Sequence, residues 1–398
     1  MADISTTLPL TPESVHTAFS KIRDHVHRTP LLTSKTLNSI ASSSSDSTPS
    51  PKFNIYFKCE NYQRIGAFKA RGAFHAITHL IEVMGLEEVR KRGVVTHSSG
   101  NHAQALALAA SHFDIPAHIV MPKISTPSKI AGTQSYTKHV YFSGSTSQER
   151  EAMVEDVIKD TGAILVPPYD HPDIMLGQGT TALELQEQYN KIREEQDGKP
   201  NLKAVLSPLG GGGLLSGISI YFSDQPEVNV IGCEPSYQGG NDGEIGLKSN
   251  PPKRIETVKT LTIADGLRTP VGTIPWKIFT SGSSNKTKNL ESIYSATEEQ
   301  IKKAMRLVLE RMKVFIEPSS AVPLAVVLYN EEFRKWVYEE QQAEGGKPWD
   351  IAIVFSGGNT TIEAIMGIFG DKSNDKDIER AEGIKGSGGK HIAENIAG

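Results

Sequence analysis

The feature that most restricts the fold is an alternation of short apolar runs with helix-periodic segments, from Gly93 to Pro235. The runs "GVVTHSS", "AHIVMP", "HVYFSG", "AILVPP", "KAVLSPLG" and "VNVIGCEP" are interleaved with "NHAQALALAASHF", "PSKIAGTQSY", "SQEREAMVEDVIKDTG", "TALELQEQYNKIREEQ" and "GLLSGISIYFS". Parallel strands need crossover connections, and crossover helices cover both faces of a sheet. The pattern therefore predicts an α/β chain built on doubly wound parallel sheets. Upstream, "TPESVHTAFSKIRDHVHRTPLL" reads as an amphipathic helix after a Thr cap, stopped before Pro30, and "FNIYFKCE" reads as a strand. The Ser/Pro-rich stretch from Ser39 to Lys52 has no periodicity and is expected to be a surface loop. With 398 residues, the chain can hold two ordinary domains in one globule.

Composition narrows the functional classes. A formal net charge of −4 leaves no basic footprint for nucleic acid. No apolar run is long enough to span a membrane. The start "MADISTTLPLTPESVHTAF" carries acids and lacks an apolar signal core, so a cytoplasmic location is expected. Cys59 and Cys233 are far apart and are expected to be buried thiols in a reducing compartment.

Four constellations lie where a strand gives way to a loop or helix, which is where open α/β sheets place ligands. In "SPLGGGGLLSGI", Gly210, Gly211, Gly212 and Gly213 follow a strand and open a helix, so backbone N–H groups can converge on an anion such as a phosphate. The dinucleotide fingerprint G-x-G-x-x-G fits only in part: Gly211 and Gly213 match, but Ser216 takes the last position and Gly217 comes one residue late. With Glu234 placed as a ribose-binding acid, a nicotinamide-dependent oxidoreductase is the rival reading. In "HSSGNHAQALALAA", Ser98, Ser99, Gly100, Asn101 and His102 gather hydroxyls, an amide, an imidazole and a helix N-terminus, a set able to hold a carboxylate. An over-decorated helix cap would look the same. In "VFSGGNTTIEA", Ser356 precedes a Gly-Gly turn and could meet a ring nitrogen. In "IGCEPSYQGGNDGE", Glu234 and Asp242 are candidate ligands for Mg²⁺ or Ca²⁺, against the plainer alternative of two solvated acids. A fifth stretch, "RIGAFKARGAF", sets Lys69 among residues that look ready to pack, an odd place for a hydrated cation.

Taken together, "ENYQRIGAFKARGA", "SSGNHAQALALAA", "SPLGGGGLLSG", "IADGLRTPVG", "IEPSSAVPLA" and "SGGN" resemble, in order, the motifs of fold-type II pyridoxal-phosphate enzymes. The likeness is to the serine/threonine dehydratase and serine racemase branch and covers about residues 10 to 370. It implies a tryptophan synthase β-subunit-like architecture with the cofactor in a cleft between two domains. A large domain would take residues 1–90 and 171–370, a small substrate-clamping domain 91–170, and a polar tail 371–398. It further implies Lys69 as the Schiff-base lysine and α-proton acceptor, backed by Phe68. Gly210 to Gly213 and Leu214 would cradle the phosphate, Asn101 would bond the ring 3-hydroxyl, and Ser356 would face the ring nitrogen. Ser98 to His102 would clamp the substrate carboxylate. A serine-like β-hydroxy amino acid would then either lose its hydroxyl, giving keto acid and ammonia, or be reprotonated by Ser99 on the opposite face. Dehydration of threonine or threo-3-hydroxyaspartate without racemisation is the neighbouring alternative. The expected partners are a small amino acid, a second copy of the chain and, with no motif to place it, a nucleotide effector. The chain departs from the branch at Pro270, where a serine is common, and in the greater length of its Glu234–Asp242 loop.

Overall fold

The structure is a computed structural model that describes residues 3–43, 50–98, 100–144, 147–196, 200–283, 286 and 288–370. The chain begins with α1 (Pro12–Ile22), β1 (Leu31–Thr33), α2 (Lys35–Ala41), β2 (Phe53–Cys59), α3 (Lys69–Met84) and α4 (Leu86–Arg92). Strand–helix units follow: β3 (Val94–His97) with α5 (Asn101–His112), β4 (Ala117–Pro122) with α6 (Pro127–Gln134), β5 (Val140–Ser143) with α7 (Ser147–Thr161), and β6 (Ile164–Leu165) with α8 (Pro172–Glu195). Next come β7 (Ala204–Pro208), α9 (Gly213–Tyr221), β8 (Asn229–Pro235), α10 (Asp242–Lys248), α11 (Thr273–Thr280), β9 (Ser292–Ala296), α12 (Glu298–Leu307), α13 (Pro318–Tyr329), α14 (Glu331–Ala343) and β10 (Trp349–Phe355).

Two sheets result. One has six strands in the order β1-β2-β10-β7-β8-β9 and the other four, in the order β5-β4-β3-β6. Among the described strands only β1 runs antiparallel, on β2; the other pairings are parallel, as the alternation predicts. β10 "WDIAIVF" is buried at every residue, as a central parallel strand covered on both faces must be. In the small sheet the period of two is explicit. Val94 and Ile119 face a core shared with α3 and α5, whereas Val95 and Val120 face Val154 and Val157 of α7. In the large sheet, Val205, Ala352 and Val354 share a core with α8 and α9, and α13 packs on β7, β8 and β10.

Three local expectations change. α1 stops at Ile22, short of the expected end: Arg23 N still donates to Phe19 O and His25 N turns back to Ile22 O, after which the backbone of His27 pairs with the Gln63 side chain (N to Oε1 2.8 Å, Nε2 to O 2.8 Å). Ser39 to Ala41 are the last turn of α2, capped by Ser34, and not loop; residues 44–49 of that stretch lie outside the described residues, as does the polar tail from 371. α8 starts at Pro172, a full two turns before the periodic segment read from sequence, with the His171 side chain as its cap. Cys59 and Cys233 are free, buried thiols, as expected. Considered by itself, the segment after Asn359 holds α15 (Ile362–Phe369), capped by Thr361.

Candidate active site

The carboxyl ends of β2, β3, β7, β8 and β10 each lead into one of the segments singled out above. Lys69 opens α3 after a tight approach in which Ile65 (φ 56°) and Gly66 (φ 70°) adopt left-handed backbone. A Cβ at Gly66 would lie 2.9 Å from Asn359 Oδ1, so glycine is required there for space as well as for φ. The loop after β10 locks this approach. Phe68 N donates to Ser356 O (3.0 Å), Gly358 N to Gly66 O (2.9 Å) and Asn359 Nδ2 to Ile65 O (2.7 Å). Lys69 Nζ donates to Pro168 O (2.6 Å) and lies 5.1 Å from the Phe68 ring centroid. Burial without a neighbouring carboxylate lowers its pKa to about 8.

The glycine loop is equally tight. A Cβ at Gly211 would meet the Tyr169 ring at 2.5 Å, one at Gly210 Leu267 Cα at 2.9 Å, and one at Gly212 (φ 94°) Pro275 Cβ at 2.7 Å. Gly213 is the first residue of α9 and Leu214 is buried behind it. This is backbone with no room for side chains, ending at a helix N-terminus, the setting that suits a phosphate.

On the other side, Ser98 N donates to Val120 O (3.0 Å) and Gly100 N to Ser98 Oγ (3.3 Å). Ser99 lies outside the described residues. Asn101 is the first residue of α5; its Nδ2 donates to Glu317 (3.1 and 3.3 Å) and its Oδ1 accepts from Asn359 Nδ2 (2.8 Å). The His102 ring is buried, with Nε2 3.3 Å from Val166 O and Nδ1 without a hydrogen-bond partner among the described residues. Burial and then the Lys69 charge hold its pKa down at about 3, so the imidazole is neutral. Ser356 is buried, its Oγ 3.1 Å from Ser320 Oγ.

The family model for pyridoxal-phosphate dependent enzymes matches residues 22–360. The chain belongs to that family. It is 37% identical over 357 residues to a serine racemase of Rattus norvegicus, covering 88% of this chain and 93% of the relative. It is 35% identical over 359 residues to an L-threo-3-hydroxyaspartate ammonia-lyase of Saccharomyces cerevisiae, covering 90% and 95%. The crystal structure of serine racemase from Dictyostelium discoideum superposes with a TM-score of 0.72 at 35% identity, covering 88% of this chain and 99% of that one. These likenesses place the chain among fold-type II enzymes of the serine/threonine dehydratase and racemase group, and the nicotinamide alternative falls with them.

For a pyridoxal-phosphate enzyme, the residues present fit the cofactor: a desolvated lysine, a glycine cradle that any Cβ would fill, a buried serine hydroxyl and an amide held at a helix start. Several residues around the site were not assigned from sequence. Glu317 is buried, and burial, then Asp265, raise its pKa to about 7 while Lys129 and Asn101 pull it down. An acid between Ile316 and Pro318 was the available signal. Lys129 pairs with Asp265 and runs beside Gly100, where a Cβ would lie 3.5 Å from its Cδ. Arg71 is fully buried and forks onto Glu60 (2.7 and 2.8 Å) and Glu184 (2.9 and 2.9 Å). Glu234 and Asp242 do come together. The Glu234 oxygens accept from Gly243 N (3.0 Å) and Glu244 N (2.9 Å), and Asp242 Oδ2 accepts from Val271 N (2.9 Å). Among the described residues, no group of three His, Cys, Asp or Glu is arranged to hold a metal. No described helix is long and apolar enough to cross a membrane.

Proposed function

We propose that the chain is a pyridoxal-phosphate-dependent dehydratase (ammonia-lyase) and/or racemase of serine-like β-hydroxy amino acids. The observation that carries this reading is Lys69: a lysine with no carboxylate partner among the described residues, its pKa near 8, at the head of α3 and donating to Pro168 O, the residue before the Tyr169 that packs against the glycine loop. Bound pyridoxal phosphate supplies an electron sink that makes the substrate α-proton removable. Gly210 to Gly213 and Leu214 would hold the phosphate, Phe68 would back Lys69, Asn101 would bond the ring 3-oxygen, and Ser356 would face the ring nitrogen. A neutral hydroxyl at Ser356 would hold that nitrogen less cationic than a carboxylate could, chemistry that would suit a substrate whose β-hydroxyl departs promptly. Lys69 accepts the α-proton. The hydroxyl of Ser98 and the helix-start N–H groups of Gly100, Asn101 and His102 hold the substrate carboxylate. Ser99 returns a proton on the opposite face. Residues 91–170, which carry the four-stranded sheet, serve as the small substrate-clamping domain.

A divalent cation at Glu234 and Asp242 belongs to the same reading. Burial and mutual repulsion raise Glu234, and burial raises Asp242 to about 6, so a cation would relieve an unfavourable pair. Cytoplasmic location and a homodimer are extensions from the resemblance. A second reading, dehydration of a 3-hydroxy acidic amino acid, is favoured by Lys129, a cation beside the carboxylate-holding turn.

Borohydride reduction followed by peptide mass spectrometry should place the adduct on Lys69; an adduct on another lysine sinks the assignment. Chiral and keto-acid assays on serine, threonine and 3-hydroxyaspartate separate the two readings. Ser99→Ala should cut racemisation by roughly 10²–10⁴-fold while sparing dehydration. A chelator should lower the melting temperature if the cation is bound, and leave Glu234→Gln unaffected.

A further inference from the structure

The side-chain amide of Asn101 is held in one orientation by its neighbours. Asn359 Nδ2 donates to the Ile65 carbonyl (2.7 Å), which can only accept, so the Asn359 amide is oriented without ambiguity. The same nitrogen donates to Asn101 Oδ1 (2.8 Å). At the other end Asn101 Nδ2 meets both oxygens of Glu317, at 3.1 and 3.3 Å. Reversing the amide would set nitrogen against nitrogen at Asn359 and oxygen against a carboxylate at Glu317. The two hydrogens of an amide nitrogen diverge in its plane, so a single carboxylate engages one of them. No hydrogen bond among the described residues takes the other. Glu317 is itself pinned: it precedes the first residue of α13, and its N donates to Gly357 O (3.0 Å).

We propose that Glu317 is a positioning residue: with Asn359 it locks the Asn101 amide, so that Asn101 can donate but not accept at the ring 3-oxygen of the cofactor and keeps that oxygen deprotonated. This rests on the contact between Asn101 and the ring proposed above. An acceptor-only oxygen can be stabilised by an N–H and not by a carbonyl, so the polarity of this one amide decides where the ring proton resides. Nothing in the chain between positions 101 and 317 signals the relation, because it arises where the start of α5, the start of α13 and the loop after β10 meet in space.

The test uses cofactor-loaded protein at one pH of about 8.5, above the value of about 7 at which Glu317 would gain a proton and could donate instead of accept, and reads the ratio of the visible to the near-ultraviolet cofactor band, which reports the protonation of the 3-oxygen. Glu317→Leu should move the ratio toward the protonated form by roughly tenfold, the effect of losing one charge-assisted hydrogen bond on such an equilibrium. Glu317→Gln keeps an accepting oxygen and should restore most of the ratio. In an Asn101→Ala background, where the ratio has already moved, Glu317→Leu should add nothing. An unchanged ratio in Glu317→Leu, or an equal shift with and without Asn101, overturns the proposal. If Glu317→Leu fails to fold, Asn359→Ala loosens the same amide from its other end and must shift the ratio in the same direction; no shift overturns the proposal equally. Wild-type protein without a borohydride-sensitive band on Lys69 would instead remove the cofactor reading itself, an outcome visible before any variant is made.

Discussion

Lys69 and Arg71 stand two residues apart and solve opposite electrostatic problems. Lys69 is desolvated, with the Pro168 carbonyl as the one hydrogen-bond acceptor for its ammonium among the described residues, whereas Arg71 is fully enclosed by two carboxylates. A lysine pKa held near 8 penalises the charged folded state below that pH, and the penalty shrinks as pH climbs toward the ordinary 10.5. Lys69→Met should therefore stabilise the cofactor-free protein at pH 7 by on the order of 1–3 kcal/mol, with the gap closing above about pH 10. Urea unfolding at the two pH values checks this; a variant less stable than wild type at pH 7 would contradict it. At Arg71 the planar fork is what matters. A lysine there cannot satisfy Glu60 and Glu184 together, so Arg71→Lys should cost roughly 3–5 kcal/mol by the same measurement. Lys58, which donates to Glu184 (2.8 Å), cannot make up the loss while also bonding Gln188 and the Thr29 carbonyl.

Helices α3, α8 and α9 cross on glycine. A Cβ at Gly177 would lie 2.7 Å from Gly72 Cα, and one at Gly217 only 2.3 Å from Met175 O and 2.4 Å from Gly179 N. In an open helix, glycine to alanine stabilises by about 1 kcal/mol; here Gly217→Ala should destabilise by several kcal/mol, read as a fall in melting temperature. α3 and α8 are also joined by His79 Nδ1 and Asp173 Oδ2 at 2.7 Å, which raises the His79 pKa. A raised imidazole pKa contributes stability that is full below about pH 6.5 and is lost as pH rises through the folded value. The melting temperature of His79→Gln should thus fall short of wild type by more at pH 6 than at pH 8.5; an equal deficit at both would remove the ion pair as its cause. These contacts also explain what the sequence disclosed. The strands of the β3–β8 region were legible because each is a short apolar run between breakers. The first turns of α8 were not, because Gly177 and Gly179 read as breakers when they are the surface on which two other helices rest. Lys69, the glycine loop and Asn101 stood out through local motifs and remain the proposed site. Glu317 and Asn359 were missed because their significance lies in meeting Asn101 from 216 and 258 positions away.

At the scale of the whole molecule, the two sheets meet at the mouth of the site through Lys129 of α6 and Asp265, which lies between β8 and β9. Such a partly exposed pair is worth at most about 1 kcal/mol, so Lys129→Met should raise KM about three- to fivefold with little change in kcat. Steady-state kinetics decides it; a loss confined to kcat would place Lys129 in the chemistry instead. The order of the large sheet has a further consequence, for how the chain is made. β10 fills the slot between β2 and β7, and the paired residues Asn54 and Asp350 are 296 positions apart. At roughly 5–20 residues per second, a ribosome needs about 15–60 s to supply the second after the first. From the completion of β7 at Pro208, about half-way through that interval, β2 and β7 both present bare edges flanking an empty groove, the arrangement most prone to recruiting a stray strand. A nascent chain that stops before Trp349 has no strand of its own to close that gap.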